Sequence, residues 1–352
     1  MKSLLDLPAF AVGEETYSWQ DVVLAAMVRG DWAALEVQTR EGLALAHWAE
    51  NAGERPSDED LDAVAQEFRY ERDLIAAEEM EVWLARFGLT VDDWMGAIER
   101  AMLRSAHPEE VGDALARFSV DESEVSRSAP ADAVCSGALP RFAMALAARA
   151  AIANRSGAEP PRAFEEGRSA ERTGRMSSID AAFARLGFPP ANDGRVAALA
   201  RLEEGFEEFS RRLADPSAIR GQIEAHRLDW ILLDWRALVF SEEAAAREAA
   251  LCLREDGESL EAVAEDAHLS IVETRAYLGD VDASARPELL SARPGDFVGP
   301  LRIEDVFHVL QLRGKTMPSE EDPEVRNRAE TSLRSKVTDQ EVAARVRWHD
   351  PV

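Results

Sequence analysis

Two neighbouring segments decide the fold: residues 293–301, which read RPGDFVGPL, and residues 307–312, which read FHVLQL. The second segment alternates between apolar and polar residues except at the step from Val309 to Leu310, which predicts a β-strand because successive side chains of a strand point to opposite faces. Gly295, Gly299 and Pro300 in the first segment are residue types that favour turns. The two segments together predict a turn that leads into a strand.

The sequence before these segments predicts the other elements of a small unit of helices and strands. Residues 228–240 are rich in branched and aromatic side chains and indicate a buried strand. Residues 241–255 indicate a helix with Ser241 as its N-cap. The remaining elements are, in order, a short helix at 260–267, a strand at 274–278 and a helical turn at 287–291.

This order of elements resembles a parvulin domain. The run at 293–301 resembles the parvulin sequence of basic residue, Pro, Gly, acidic residue, apolar residue, small residue, Gly, Pro and apolar residue. Residues 307–312 resemble the terminal strand that carries a parvulin histidine, here His308, and residues 236–244 resemble the opening strand and the helix after it. The resemblance covers about a quarter of the chain and implies a domain related to peptidyl-prolyl isomerases (rotamases).

The resemblance also indicates candidate catalytic residues. Active parvulins have a pair of core histidines with a Cys or Asp nearby and a Gly-rich stretch before the central strand. Here the first histidine position falls on or next to Arg236, and the Cys or Asp position falls beside Asp266 and His268. Residues 271–276 replace the Gly-rich stretch. Since most of the polar core is substituted, we expect a degenerate isomerase centre.

A proline pocket could be drawn from four apolar residues, Leu289, Phe297, Val298 and Phe307. Catalysis has to lower a barrier of about 20 kcal/mol by desolvating and twisting the amide, which needs a tightly shaped pocket.

Each polar candidate also has a purely structural interpretation. His308 could be an ordinary histidine on a sheet, Asp266 and His268 could end a short helix, and Arg236 could belong to a structural hydrogen-bond network.

Residues 18–118 predict nearly continuous helix. Ser18 and Asp31 are expected N-caps, and residues 57–87 form the longest apolar pattern, starting at Ser57. Gly88 is expected to end that helix and Thr90 to cap the next one. The start of the chain therefore predicts a helical module.

The whole layout predicts an α+β protein and resembles SurA-type and PpiC-type proteins. Those proteins surround a parvulin domain with an N-terminal helical module and a C-terminal helix that packs back on it, which makes a peptide-binding cradle. Residues 230–256 and 322–348 more narrowly resemble a PpiC-related branch of bacterial peptide-maturation systems. The expected parts are an N-terminal helical module at 1–154, a linker or mobile loop at 155–178, connecting helices at 179–227, the parvulin-like domain at 228–317 and a C-terminal helix at 318–352.

The formal net charge is -27, from 40 basic and 67 acidic residues. This acidity argues against nucleic-acid binding and against docking on an anionic membrane, both of which need clustered cations. Residues 1–127 hold 28 acidic and 11 basic residues and also five of the eight tryptophans. Trp83 and Trp94 therefore belong either to a helical core or to a set of aromatic anchors for a client peptide. The acidic residues form either the solvated face of amphipathic helices or a rim around a peptide-binding groove.

No cofactor is expected. The six histidines show no metal-ligand spacing, no phosphate-binding loop is present, and Cys135 and Cys252 lie far apart. The N-terminal apolar run is interrupted by Asp6 and Pro8, and no stretch approaches the roughly 18 apolar residues that span a bilayer. We expect a cytoplasmic protein without membrane insertion, and the oligomeric state stays open.

Three functions are compatible with this sequence. The first is a parvulin-related chaperone or accessory protein that holds an unfolded or precursor peptide for maturation or export. The second is an active peptidyl-prolyl cis-trans isomerase that uses His308. The third is a non-catalytic scaffold subunit.

Overall fold

The computed structural model of the chain describes residues 7–155, 193–303 and 305–349. Nearly all of the expected linker at 155–178, and the first part of the connecting helices that follow it, lie outside these residues. The chain divides into two compact units. The first comprises Met1–Phe209 and Val337–Val352, and the second comprises Ser210–Lys336.

The first unit is mostly helical, as the sequence predicts. Its described helices, in chain order, are α1 (Trp19–Arg29), α2 (Asp31–Ala52), α3 (Asp58–Glu71), α4 (Ala77–Phe87), α5 (Val91–Ala106), α6 (Val111–Arg117), α7 (Glu122–Cys135), α8 (Ala138–Arg155) and the greater part of α9 (Asp193–Leu213). A short 3-10 turn, Pro108–Glu110, precedes α6.

Polar side chains cap these helices where the sequence predicts them. Ser18 accepts a hydrogen bond from the Asp21 backbone N–H at 3.2 Å, and the Asp21 carboxylate accepts one from the Ser18 N–H at 2.8 Å. The expected cap at Asp31 is wrong. Gly30, with a φ of 90°, ends α1 and precedes α2, so Asp31 is already the first residue of α2 and pairs with Arg29 at 2.8 Å.

The apolar pattern at 57–87 forms two helices, α3 and α4, rather than one. Helix α3 ends at Glu71, and Asp73 takes a left-handed φ of 56°. The Arg69 guanidinium donates to the backbone oxygens of Leu74 (2.9 Å) and Ile75, so it fixes the connecting loop to the end of α3. This loop forms one side of the groove described below.

A three-stranded antiparallel sheet that the sequence did not predict completes the first unit. Its strands are β1 (Pro8–Val12), β2 (Glu15–Ser18) and β7 (Val346–Trp348), in the order β2-β1-β7. The C-terminal helix expected at 318–352 ends at Arg345. The three residues after it instead pair with β1, where Trp348 packs on Phe10 with ring centroids 5.3 Å apart.

The C-terminal helix expected at 318–352 is α14 (Pro323–Arg345), and Asp322 accepts from the Glu324 backbone N–H at 2.9 Å. Its last turns pack back on the N-terminal helices, because Val342 is buried against Ala148 and Ala151 of α8. The prediction of an α+β protein whose C-terminal helix returns to the helical module is confirmed.

The second unit contains a four-stranded antiparallel sheet with the order β4-β3-β6-β5. Its strands are β3 (Leu232–Phe240), β4 (Val272–Tyr277), β5 (Phe297–Ile303) and β6 (Val306–Thr316). Its helices are α10 (Pro216–Ala225), α11 (Glu243–Leu251), α12 (Leu260–Asp266) and α13 (Arg286–Ser291), with the start of α14. The expected cap at Ser241 is wrong, because Glu242 precedes α11 and makes no side-chain cap.

The run at 293–301 is only partly a turn, since its second half is strand β5. Gly299 lies at an irregularity between Val298 and Leu301, with a φ of 118°. A Cβ at this position would stand 2.4 Å from the backbone oxygen of His308. Glycine is therefore required here by both conformation and space.

Apolar side chains cover both faces of the four-stranded sheet. On one face, Trp235, Leu301 and Leu310 pack against Leu289 of α13, and we name this the α13 face. On the other, Leu238 and Val309 pack with α11 and α12, and we name this the α12 face.

Candidate functional site

The two polar residues expected at the centre of the sheet point to opposite faces. His308 lies on β6, across from Val239 on one side and Leu301 on the other, and Leu301 belongs to the α13 face. Arg236 lies on β3, across from Gln311 and Glu273, and its side chain reaches Glu261 of α12. The sheet therefore separates Arg236 from His308.

Arg236 is part of a hydrogen-bond network on the α12 face. Its guanidinium donates to Glu261 Oε1 at 2.5 Å and to Gln311 Oε1 at 2.8 Å. The backbone N–H of Glu261 and the Arg236 guanidinium hold the pKa of the Glu261 carboxyl below its ordinary value. This geometry matches the structural interpretation of Arg236, since its donors are directed to neighbouring side chains.

Asp266 and His268 lie at the exposed end of α12. Asp266 is the last residue of that helix. His268 follows with a left-handed φ of 54°, and its backbone N–H donates to Glu265 O at 3.2 Å. Both residues thus occupy the helix terminus, as their structural interpretation requires. The helix that carries them packs on the face opposite His308.

The four residues of the expected proline pocket are also divided between the faces. Leu289 and Val298 are buried in the α13 face. Phe297 and Phe307 are half-buried against the α12 face. The strand period of two explains this split, because Phe297 and Val298 are consecutive residues of β5.

The cysteines have little nucleophilic character. Both are free thiols of intermediate burial. Burial raises the pKa of Cys135 to about 12, which keeps it protonated at neutral pH. Among the described residues, no three His, Cys, Asp or Glu side chains converge where a metal ion could bind. No helix in the same part of the chain has the length and apolarity that a membrane span needs.

Trp83 and Trp94 come together in the core formed by α3, α4 and α5. Both pack on Phe68, with ring centroids 5.5 Å away for Trp83 and 5.8 Å away for Trp94. Trp94 is 7% exposed, and Trp83 is half-buried beside Phe87. Trp94 also forms part of the wall of a surface groove, so the core interpretation and the anchor interpretation meet in this residue.

The groove lies between α3, the loop after it and the start of α5, with a volume of about 500 Å³. Apolar side chains are unusually exposed along it: Tyr70 at 58%, Ile75 at 62% and Val91 at 55%. The Tyr70 hydroxyl accepts a hydrogen bond from Gln66 at 2.9 Å, which orients the ring. We name this feature the α3–α5 groove.

Sequence reasoning missed Tyr70, Ile75 and Val91 as site residues. Ile75 was assigned to the apolar stripe of one long helix, but it lies in the loop that separates two helices. The usable signal is the charged run Glu71, Arg72 and Asp73, which interrupts the pattern just before it.

Comparisons with known proteins assign this chain to no family. No family model matches the chain, and no curated protein matches it. A solved structure of the peptidylprolyl isomerase PrsA from Bacillus anthracis is 12% identical, covers 56% of this chain and 92% of its own, and has a TM-score of 0.30.

Two further solved structures align in the same way. The foldase protein PrsA from Streptococcus pneumoniae is 10% identical with a TM-score of 0.29, and covers 64% of this chain and 92% of its own. A structure from work on two SurA-like chaperones of Campylobacter jejuni is 8% identical with a TM-score of 0.19, and covers 62% of this chain and 88% of its own. Scores this low do not establish a shared fold, and the resemblance to parvulins rests on the residue patterns alone.

Proposed function

We propose that this protein is a parvulin-related chaperone or accessory protein that binds an unfolded or precursor peptide and holds it for maturation or export. The observation that carries the proposal is the α3–α5 groove, where Tyr70, Ile75 and Val91 remain half or more exposed. We assign this activity to the cytoplasm and the client to a peptide-maturation system on the basis of the sequence.

The size and lining of the groove suit a peptide side chain. Ligand sites commonly enclose about 300 to 1,000 Å³ and are mostly apolar. Complete burial of one large apolar side chain contributes about 1.5 to 3 kcal/mol. Two or three contacts of this kind give the modest affinity that suits a protein that must release its client.

The sheet supports a role without prolyl isomerisation. An isomerase needs a shaped apolar pocket beside its polar groups, so that the amide is desolvated and twisted together. Here Arg236 and His308 face opposite sides of the sheet, and the four pocket candidates divide two and two. We therefore propose that the parvulin-like domain is structural.

Calorimetric titration of unstructured peptides tests the proposal. We expect a Pro-free peptide with apolar anchors and its Pro-containing counterpart to bind equally. Ile75→Ser should weaken both about tenfold by removing exposed apolar area without disturbing the core. Val82→Ser is the matched control, because Val82 is 70% exposed on α4 and does not line the groove. Absence of binding by both peptides would contradict the proposal and favour the scaffold function.

A protease-coupled assay on an X-Pro peptide tests the isomerase alternative. We expect the X-Pro bond to isomerise at its uncatalysed rate even at high protein concentration. A faster rate that His308→Ala abolishes would show an active isomerase.

A further inference from the structure

Within the proposed function, the two ends of the α3–α5 groove differ in chemistry, and this difference defines a class of client. The Arg55–Glu99 ion pair, at 2.7 Å, joins the residues just before α3 to the middle of α5, whereas Tyr70 near the end of α3 and Val91 at the start of α5 line the same groove. The two contacts together show that the helices run antiparallel. Tyr70, Ile75 and Val91 lie at one end of the groove, and Asp62 lies toward the other.

The second end is acidic. Asp62 lines the groove, and Asp58 and Glu59 lie one turn earlier on the same side of α3, since residues three and four apart are neighbours on a helix. All three side chains are exposed. Within the part of the chain that the structure describes, none of the three carboxylates makes a hydrogen bond or an ion pair. They are thus available to an incoming cation.

Two cations near this end are held by other partners, although Arg55 also attracts the Asp58 carboxylate. The Arg69 guanidinium is held by the backbone oxygens of Leu74 and Ile75, and Arg55 is paired with Glu99. Between Asp58 and Ala106 the chain has 13 acidic residues and five basic ones. The field around the groove is therefore negative, and it favours cationic partners.

We infer that the α3–α5 groove binds basic client segments, with an apolar side chain against Tyr70, Ile75 and Val91 and an Arg or Lys against Asp62. From Tyr70 to Asp62 is eight residues of helix, or roughly 12 Å. An extended client covers about 13 Å in four residues and presents residues i and i+4 on one face. The preferred client has its cation four positions from its apolar anchor.

A second copy of this chain is the competing occupant. The net charge of -27 opposes self-association through an acidic surface. Sedimentation at increasing concentration separates the two occupants. A dimer that Ile75→Ser converts to a monomer would overturn the inference, whereas a monomer in both proteins agrees with it.

The decisive experiment titrates the full chain with four Pro-free peptides that share one Phe anchor. The first has Arg four residues after the Phe, and the second has Arg three residues after it. The third and fourth have Gln and Glu, respectively, four residues after the Phe. We expect the first peptide to bind most tightly and the last most weakly. We expect Asp62→Asn to weaken the first about threefold to fivefold at low salt and to leave the Gln peptide unchanged.

Glu81→Gln is the control, because it removes one exposed charge from α4 away from the groove. Equal affinity for the Arg and Gln peptides, with the Ile75→Ser effect intact, overturns the basic-client inference and leaves the proposed function standing. Equal affinity for the two Arg peptides, with the Asp62→Asn effect intact, overturns the stated spacing alone. If no peptide binds, the proposed function fails as well.

Discussion

The sheet of the second unit and helices α3 to α5 of the first unit differ in whether recognisable residues form a site. The sheet holds the recognisable residues, yet its polar candidates lie on opposite faces and its apolar candidates are divided between two cores. The helices hold no motif, yet they form the α3–α5 groove with exposed Tyr70, Ile75 and Val91. Recognisable residues can thus maintain a fold, while a binding surface forms from ordinary side chains at a helix break.

The largest expected effect is on the stability of the helical unit, through the ion pair that joins α5 to α7. Arg100 of α5 and Asp132 of α7 form a buried ion pair at 2.6 Å, with both side chains at most 10% exposed. Arg100→Ala leaves the carboxylate buried without its partner, so we expect a loss of about 3 to 5 kcal/mol in the free energy of unfolding. Urea denaturation measures this.

Arg117→Ala is the matched control for that change, since Arg117 and Asp113 of α6 pair at 2.9 Å with side chains 68% and 39% exposed. It should cost less than about 1 kcal/mol. Equal losses in the free energy of unfolding for the two variants would contradict the stabilising role of the buried Arg100–Asp132 pair.

The next effect tests whether the Gly-Pro run of the sheet is structural. Gly299→Ala places a Cβ 2.4 Å from the His308 backbone oxygen and forces a left-handed residue, so we expect a loss of about 3 kcal/mol. Gly295→Ala has a similar φ of 99° with nothing within 4 Å, and should cost only about 1 to 2 kcal/mol. Similar losses in the free energy of unfolding would mean that the backbone around Gly299 can move to accommodate a Cβ.

A smaller effect distinguishes a structural from a catalytic Arg236. Arg236→Gln removes the ion pair to Glu261, which is 58% exposed, so stability should fall by much less than in Arg100→Ala. Peptide affinity should not change, and this is measured by the same calorimetry. A loss of peptide binding in a stable variant would contradict the structural role.

The smallest effect is a pH dependence of that same network. Because the pKa of Glu261 is lowered in the folded protein, its contribution is present above the unfolded pKa of about 4.3 and is lost as pH falls through the folded value. The stability difference between the wild type and Glu261→Gln should be constant near neutral pH and shrink below about pH 4. A difference that grows on acidification would contradict the assignment.

The sequence predicts elements whose signal is local. Alternation identifies β6, and Ser18, Ser57 and Thr90 identify helix starts, because each cap is satisfied within three residues. Strands β1 and β2 form a local hairpin and were missed because they are only five and four residues long. Strand β7 was missed because it is short and pairs with β1 across nearly the whole chain. Strand β5 was missed because its Gly and Pro indicated a turn.

The candidate site shows the same limit. Sequence similarity brings Arg236 and His308 into one expected centre, but the face of a strand residue depends on register, which the pattern did not specify. The α3–α5 groove depends on how three helices pack around Phe68 and where the chain breaks after Glu71. Of its residues, only Trp94 was singled out, as a member of an aromatic cluster.

Hydrogen exchange measured with and without a saturating basic, Pro-free peptide tests the central claim most directly. We expect slowed exchange in residues 62–75 and 91–95, which surround the groove, and no change in residues 235–240 or 307–312 of the sheet. Protection confined to the strands around His308, with exchange at the groove unaltered, would contradict it.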